Sequence, residues 1–224
     1  MHSLCATVSR SLIGLLLFAL PASVGAETTV PQHRLSYSNL TVVRDNPEGL
    51  QDDFKLDYRY ALFRDTPGVL FQECEVLAGT TTYLTPAFVK MGGRVGIRPL
   101  AVLYLEGRMD YVSAFGVLGH VQGFPDATAD ASDEAREALK EAGAEKQTTG
   151  VMTTLTTQLR AKVGDVAIRS TGSMIHANME LNDGDTVWYE GVNDLLMPAK
   201  GWALHLDNDL LWLLGDGWVL GARH

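Results

Sequence analysis

The sequence contains little cysteine, no excess of positive charge and, beyond its first residues, no long hydrophobic run. It has two cysteines, 18 basic and 27 acidic side chains, and a net charge of −9 at pH 7. This acidic balance argues against nucleic acid as a partner, because proteins that bind nucleic acids present a basic surface. After residue 26, no stretch approaches the roughly 18 consecutive apolar residues that indicate a transmembrane helix.

The first 26 residues have the three parts of a secretory signal peptide. Arg10 supplies the positive region, IGLLLFAL (13–20) is the apolar region, and the small residues SVGA end at Ala26, where cleavage is predicted. The apolar run is shorter than the roughly 20 residues of a spanning helix. A retained N-terminal anchor is the alternative. Cys5 precedes the apolar region, so no lipid anchor is expected.

Cleavage leaves residues 27–224, a length that suits one domain. Cys74 is then the only cysteine, which excludes an intrachain disulfide and a structural zinc site made of cysteines. No cofactor and no metal site are predicted.

Alternation of apolar and polar residues predicts a series of β-strands. In FKLDYRYALF (54–63), the Phe, Leu and Tyr side chains fall on one side of an extended chain and three charged side chains fall on the other. Similar runs recur along the chain, although the facing of the seventh is ambiguous. The nine runs are 35–44, 54–63, 69–79, 87–98, 100–112, 151–163, 166–181, 201–214 and a last one beginning WVLGARH at 218.

The links between the runs separate two interpretations of this pattern. Those after runs two, four, six and eight read as short (RDTPG, RP, GD and GDG), and those after the other runs are generally longer. Outer-membrane barrels have short periplasmic turns and long external loops. Tyr and Trp near several strand ends agree with membrane interfaces. We therefore predict an all-β, antiparallel, transmembrane up-and-down β-barrel. A soluble β-sandwich or lipocalin-like barrel is the alternative.

In the barrel interpretation the charged face of the strands lines the lumen. The predicted lumen-lining residues are Lys55, Asp57, Arg59, Lys90, Arg94, Arg98, Glu106, Arg108, Asp110, Arg160, Lys162, His205, Asp207 and Asp209.

The longest link, roughly 117–148, contains SDEAREALKEAG (132–143), which predicts a short surface helix in an external loop. Asp133 and Glu134 suit its first turn, and Gly143 stands where the helix would end. A lid or binding loop is the alternative to a merely solvated helix.

The ninth run stops at His224 after a few residues. Single-chain bacterial barrels have even strand numbers, and an open strand leaves backbone groups unpaired in hydrocarbon. We therefore expect residues 27–224 to be a C-terminally incomplete barrel domain, with about 10–12 strands when complete. Its last residues, Arg223 and His224, are not the terminal aromatic that the barrel-assembly machinery commonly recognises.

The phrases SNLTVVRDNPEGLQDDFKLDYRY, TPAFVKMGGRVGIRPLAVL, DTVWYE and WVLGAR resemble a group of uncharacterised outer-membrane β-barrel proteins of deltaproteobacteria, including myxobacteria. The resemblance spans nearly all of residues 27–224 but rests on patterning rather than on a catalytic motif. It implies a location and a fold, and it implies no activity.

One cluster of side chains could carry chemistry. His205, Asp207 and Asp209 share one face of the eighth run and could orient a general base or hold a divalent cation. Side chains two apart on a strand are, however, roughly 6 to 7 Å apart. A compact site would need a neighbouring strand, and a charged wall balanced by Arg and Lys is the interpretation we favour.

Two Ser and His pairs are candidates for acyl hydrolysis. Ser173 and His176 differ by three positions and should face opposite sides of a strand. The other pair is Ser113 and His120. No G-x-S-x-G nucleophile elbow occurs in the sequence. We predict no enzymatic activity.

The predicted function is an outer-membrane β-barrel that forms a small pore for passive solute passage. The alternatives are a closed structural or surface-binding barrel and an outer-membrane lipid-modifying hydrolase. The expected partners are outer-membrane lipid, lipopolysaccharide and the barrel-assembly machinery. The solute and the oligomeric state stay open.

Overall fold

The structure, a computed structural model, describes residues 31–45, 48–118, 121–182, 184–192, 195–214 and 217–224. The predicted signal peptide, residues 1–26, lies outside the described residues. The described chain is all-β and mostly antiparallel, with one α-helix. No helix in these ranges is long and apolar enough to cross a membrane.

The strands, in chain order, are β1 (His33–Asp45), β2 (Glu48–Ala61), β3 (Glu75–Leu84), β4 (Phe88–Leu100), β5 (Leu103–Ala114), β6 (Gly123–Phe124), β7 (Thr148–Val163), β8 (Val166–Glu180), β9 (Val187–Glu190), β10 (Leu195–Pro198), β11 (Lys200–Leu214) and β12 (Trp218–Arg223).

Nine of these strands form one long antiparallel sheet. Its order is β1-β2-β3-β4-β5-β7-β8-β11-β12, so each strand pairs with the next long strand along the chain. This arrangement confirms the predicted number of strands and their antiparallel order. In the described chain no pairing joins β1 to β12, so the sheet has two edges and closure into a barrel is not seen.

The long sheet curves, and its charged side is the inner one. Arg160 on β7 forms an ion pair with Glu73, which lies just before β3. On a flat sheet, the three strand spacings between β3 and β7 would measure roughly 14 Å. Together with the burial of Asp57 on β2 and of Asp209 on β11, this contact indicates that the sheet bends toward this side. We call the side that carries Asp57 and Arg94 the concave face and the opposite side the convex face.

Alternation along the strands separates the two faces cleanly. On β11, Trp202, Leu204 and Leu206 are exposed, whereas His205 between them is partly covered and Asp209 is buried. The pairing register carries this alternation from strand to strand. It also settles the facing of the seventh run, because the buried residues of β8, Ile175, Ala177 and Met179, are all odd-numbered.

The strands β6, β9 and β10 form a second sheet, the small sheet, which the sequence did not predict. It is built from the two longest links and has the order β10-β9-β6. Its Trp188 and Met197 pack against residues of the concave face at one end of β5, β7 and β8, namely Val112, Met152, Ile175, Ala177 and Met179. The small sheet therefore covers that end of the concave face.

The helix α1 (Asp133–Glu141) confirms the predicted helix within the longest link. The side chain of Ser132 accepts a hydrogen bond from the backbone N–H of Ala135 at 3.3 Å, which caps its first turn. The helix is more than a solvated surface element. Arg136 is buried, with its guanidinium 4.3 Å from the ring centroid of Tyr189 in the small sheet.

Two predictions about the first half of the chain are wrong. The alternation pattern predicts the third strand at 69–79, but β3 spans Glu75–Leu84 and Val69–Phe71 is a 3₁₀ turn. The threonine-rich second half of β3 suits a strand, because β-branched side chains such as threonine have a high propensity for β-strands. As a result, 62–74 is a long link, whereas only residues 46–47 and 85–87 separate β1 from β2 and β3 from β4. The expected alternation of short and long links holds only from β4 onward.

Candidate functional site on the concave face

The middle of the concave face is an ion-pair network around Asp57. This carboxylate is 3% exposed and accepts hydrogen bonds from Arg59 at 2.8 Å and from Arg94 at 2.6 Å and 2.9 Å. Arg94 also donates to Glu106 at 3.0 Å, and Tyr104 donates to the same carboxylate at 2.6 Å. Charge-assisted bonds of this kind are short and strong.

A glycine makes the contact between Asp57 and Arg94 possible. The two residues are on β2 and β4, and the register places Gly79 of β3 between them. A Cβ atom at position 79 would lie 2.4 Å from Oδ1 of Asp57. The bare backbone therefore leaves the space in which the carboxylate reaches across the middle strand.

The network continues toward the end of the sheet at which β1 begins, which we call the loop end. Glu75 accepts from Arg34 at 2.8 Å and from Arg59 at 2.5 Å. Because Arg34 lies on β1, Arg59 on β2 and Glu75 on β3, one carboxylate ties together three neighbouring strands.

Glu73 forms a second centre at the loop end. It pairs with Arg98 at 3.1 Å and with Arg160. The hydrogen bond from Arg160 holds the pKa of the Glu73 carboxyl below its ordinary value, against the opposing effect of burial. Arg98 is on β4 and Arg160 on β7, so this carboxylate bridges strands that are not neighbours.

At the opposite end, the concave face joins the small sheet through charge as well as packing. Lys90 on β4 forms an ion pair with Glu190 on β9, and the Glu190 side chain is fully buried. Nearby, Arg108 pairs with Asp110 at 2.7 Å. Removing one partner of a buried ion pair such as Lys90–Glu190 is strongly destabilising, because the charge of the other partner stays buried.

The predicted cluster on β11 does not converge. Asp209 pairs with Arg169 at 2.6 Å and with Arg223 at 2.7 Å, which fits the charged-wall interpretation. His205 Nδ1 lies 3.8 Å from the Asp207 carboxylate. Within the described ranges, no group of three or more His, Cys, Asp or Glu side chains is arranged to hold a metal ion.

The two remaining predicted residues have simpler surroundings. Lys55 pairs with Asp53 at 2.7 Å on its own strand. Lys162 is exposed, two residues before Gly164 in the turn that joins β7 to β8. The predicted residues thus share one face of the sheet, and Lys162 lies at its edge.

The sequence reasoning missed several partners of these charges. Glu75 falls in the third predicted run, which alternates less cleanly, and Arg169 falls in the seventh, whose facing is ambiguous from the sequence. Arg34 precedes the first predicted run. A search for opposite charges on neighbouring strands could have found them. Glu190 has no such signal, because it lies in a short strand of the unpredicted small sheet.

The Ser and His pairs do not form a catalytic arrangement in the described chain. Ser173 faces inward and its hydroxyl is 3.2 Å from that of Thr156, whereas His176 faces outward against the ring of Trp202 at 4.9 Å. This confirms that the two residues face opposite sides. His120, the partner considered for Ser113, lies outside the described residues.

Comparisons with known proteins give no relative for this arrangement. No family model matches the chain. Searches of curated proteins and of solved structures likewise return no match.

Proposed function

We propose that this chain is an outer-membrane β-barrel protein whose interior is closed by its own side chains, acting as a structural or surface-binding barrel. The observation that carries the proposal is the composition of the convex face. Apart from Glu180 and Lys200 at strand ends, no convex position on β3, β4, β5, β7, β8 or β11 has a charged side chain.

The exposed apolar side chains on this face are numerous and large. They include Tyr111, Leu155, Leu204, Leu210 and Trp212, each more than a third exposed. Water-soluble monomers rarely expose apolar patches larger than a few hundred Å². A lipid-facing wall is the surface that needs this composition, because charged residues there are destabilising.

The height of the apolar band suits a bilayer. Trp202 and Trp212 lie ten residues apart on the convex face of β11, or roughly 33 Å along the strand. A strand tilted by about 40° in the membrane reduces this to roughly 25 Å, the height of the band in outer-membrane barrels. The two tryptophans then mark its two interfaces.

The interior favours a closed barrel over the small pore that is the other candidate. The carboxylates of Asp57, Glu75 and Asp209 are each shared by two arginines, and the small sheet covers one end of the concave face. The proposed partners are outer-membrane lipid, lipopolysaccharide and the barrel-assembly machinery.

Heat modifiability tests the membrane barrel. The full-length protein in a urea-washed outer-membrane fraction is run on a denaturing gel with and without boiling. We expect a faster band for the unboiled sample. A protein without this shift that is released into the soluble periplasm would exclude the proposal.

A pair of neighbouring variants tests the assignment of the faces. Leu206→Arg puts a charge in the apolar band and should cost about 2 to 4 kcal/mol of stability in lipid. His205→Arg, one residue away on the concave face, should cost much less. Equal losses from the two variants in urea titrations of lipid-reconstituted protein would contradict a lipid-facing wall.

Conductance in a planar bilayer then tests the closed interior. We expect no steady current steps from the reconstituted protein. Steady ohmic steps would replace the closed barrel with the pore while leaving the membrane location intact.

A further inference from the structure

The loop end of the concave face contains a cavity of about 590 Å³. Small-molecule sites commonly have volumes of roughly 300 to 1,000 Å³. One wall of the cavity is the link 62–74, and the other is formed by strand residues on β1, β2, β3 and β4. The cavity therefore lies between an ordered loop and the sheet, away from the small sheet.

The loop 62–74 is held in place by backbone contacts. The N–H of Leu62 donates to the carbonyl of Cys74 at 2.7 Å, which closes the loop at its base. The N–H of Ala101 donates to the carbonyl of Leu70 at 2.8 Å, and the Cys74 thiol donates to the carbonyl of Pro99 at 3.3 Å. A loop whose ends meet and which packs on the body of a protein is often a functional one.

The loop contributes an apolar wall under backbone strain. Phe63 and Phe71 line the cavity, with their rings edge to face at 5.7 Å. Phe63 has a φ of 50° and Glu73, at the other end of the loop, has a φ of 61°. Bulky side chains rarely adopt this conformation, and such strain collects at ligand sites.

Guanidinium groups line both walls of the cavity, most of them on the strands. Four arginines line the cavity with three acidic residues, so positive charge is in excess: the arginines are Arg34, Arg59, Arg64 and Arg98. Each guanidinium has five N–H donors. In the described chain Arg34 makes one ion pair and its side chain is 43% exposed, so most of its donors are not engaged by protein.

Arg64 adds a charge that has no ion-pair partner within the described part of the chain. It is exposed at the cavity, and no ion pair of Arg64 occurs among the described residues. The carboxylates of Glu73 and Glu75, in contrast, each already serve two arginines. The third acidic residue of the lining, Asp65, is exposed in the same loop, so the arginine N–H donors that line the cavity outnumber the carboxylate acceptors available to them.

We infer that the cavity binds a small amphiphilic anion, with one carboxylate or phosphate group on an aromatic or aliphatic body. Arginine forks bind such groups through paired, charge-assisted hydrogen bonds. The two phenylalanines take the apolar body. The inference does not depend on the membrane location proposed above, because the cavity is formed within one chain.

Phenyl phosphate is the first probe, titrated by calorimetry into refolded full-length protein. Benzyl alcohol supplies the apolar body alone, inorganic phosphate supplies the anion alone, and benzylamine reverses the charge. We expect phenyl phosphate to bind about tenfold or more tightly than each of the others, since its charge and its ring are both used. Phenylpropionate in a parallel titration distinguishes a carboxylate source from a phosphate source.

Substitutions locate the binding. Arg34→Met combined with Arg64→Met should weaken phenyl phosphate binding by about tenfold or more. Lys162→Met removes an exposed cation at the same end of the molecule and should leave binding unchanged. Far-UV circular dichroism checks that the sheet is retained in each variant.

Phe63→Gly provides a second test of the cavity. This substitution should not disturb folding, because glycine adopts a positive φ without strain. It should weaken phenyl phosphate more than inorganic phosphate. The inference fails if benzylamine binds as tightly as phenyl phosphate, if phenyl phosphate does not bind at millimolar concentration, or if Lys162→Met weakens binding as much as the arginine substitutions do.

Discussion

The concave and convex faces are made by the same strands but are held by different interactions. Asp57 on the concave face of β2 is buried among arginines, whereas its neighbour Tyr58 on the convex face is half exposed. In a water-soluble sheet the charged side would be the exposed one. Here charge is enclosed and apolar surface is displayed, on strands that are otherwise regular.

This difference shows which side of the sheet forms internal contacts. On the concave face, ion pairs and the packing of Trp188 depend on other parts of the same chain. On the convex face, side chains such as Leu204 are largely exposed. A substitution on the concave face should therefore disturb more of the molecule than the same substitution on the convex face.

The largest effect on stability should come from substituting a tryptophan on the small sheet, compared with a tryptophan on the convex face. Trp188→Ala opens a cavity between the small sheet and the concave face and should cost about 3 to 5 kcal/mol. Trp202→Ala, on the convex face, leaves no enclosed cavity. Its loss should be at least about 1 kcal/mol smaller.

Urea titrations followed by circular dichroism measure both variants. Equal losses would mean that Trp188 does not anchor the small sheet.

A pair of glycines should show the next largest effect. Gly79→Ala places a methyl group 2.4 Å from the Asp57 carboxylate and from the carbonyl of Leu56, so it should cost about 1 to 3 kcal/mol. Gly93, on the convex face of β4, has no neighbour closer than 3.8 Å to an added Cβ. Gly93→Ala should be neutral or slightly stabilising.

The same unfolding measurement tests this pair. A neutral Gly79→Ala variant would show that the ion pair across β3 does not need the open space.

The smallest effect on stability should come from lowering the pH. The pKa of Glu73 is lowered by its hydrogen bond from Arg160, so its stabilising contribution is complete above the ordinary carboxyl pKa of about 4.3. The contribution is lost as the pH falls through the lowered folded value. It should stay below about 1 kcal/mol, because the Glu73 side chain is 61% exposed.

Wild-type protein and Glu73→Gln should therefore differ in stability at pH 7, and this difference should be smaller at an acidic pH below the ordinary carboxyl pKa. Unfolding titrations at the two pH values measure this difference. A difference that persists unchanged in acid would exclude Glu73 as its source.

Much of the long sheet is readable from the sequence, because alternation is a local signal. Runs such as 54–63 and 201–214 carry their facing in their own residues, and the structure confirms both. The third run failed because Val69–Phe71 is as apolar as a strand but is bent into a 3₁₀ turn. Local apolarity does not distinguish a strand from a turn that packs against its neighbours.

The small sheet is less readable, because no single segment of it specifies the pairing. Gly123–Phe124 and Val187–Glu190 are short, and they are joined by contacts across more than sixty residues of sequence.

The charged site was only partly predictable, because part of it also depends on pairing between strands. The alternation along each strand assigns Asp57 and Arg94 to the charged side of their own strands. Only the pairing register shows that Gly79 lies between them.

The placement of the small sheet also implies an order of events in folding. Its Trp188 needs a surface made by β5, β7 and β8, so that surface must exist before the small sheet can dock. Closing contacts that are far apart in sequence is slow because of the loop entropy involved. Amides of β9 should thus gain protection from hydrogen exchange after those of β7 and β8 during refolding.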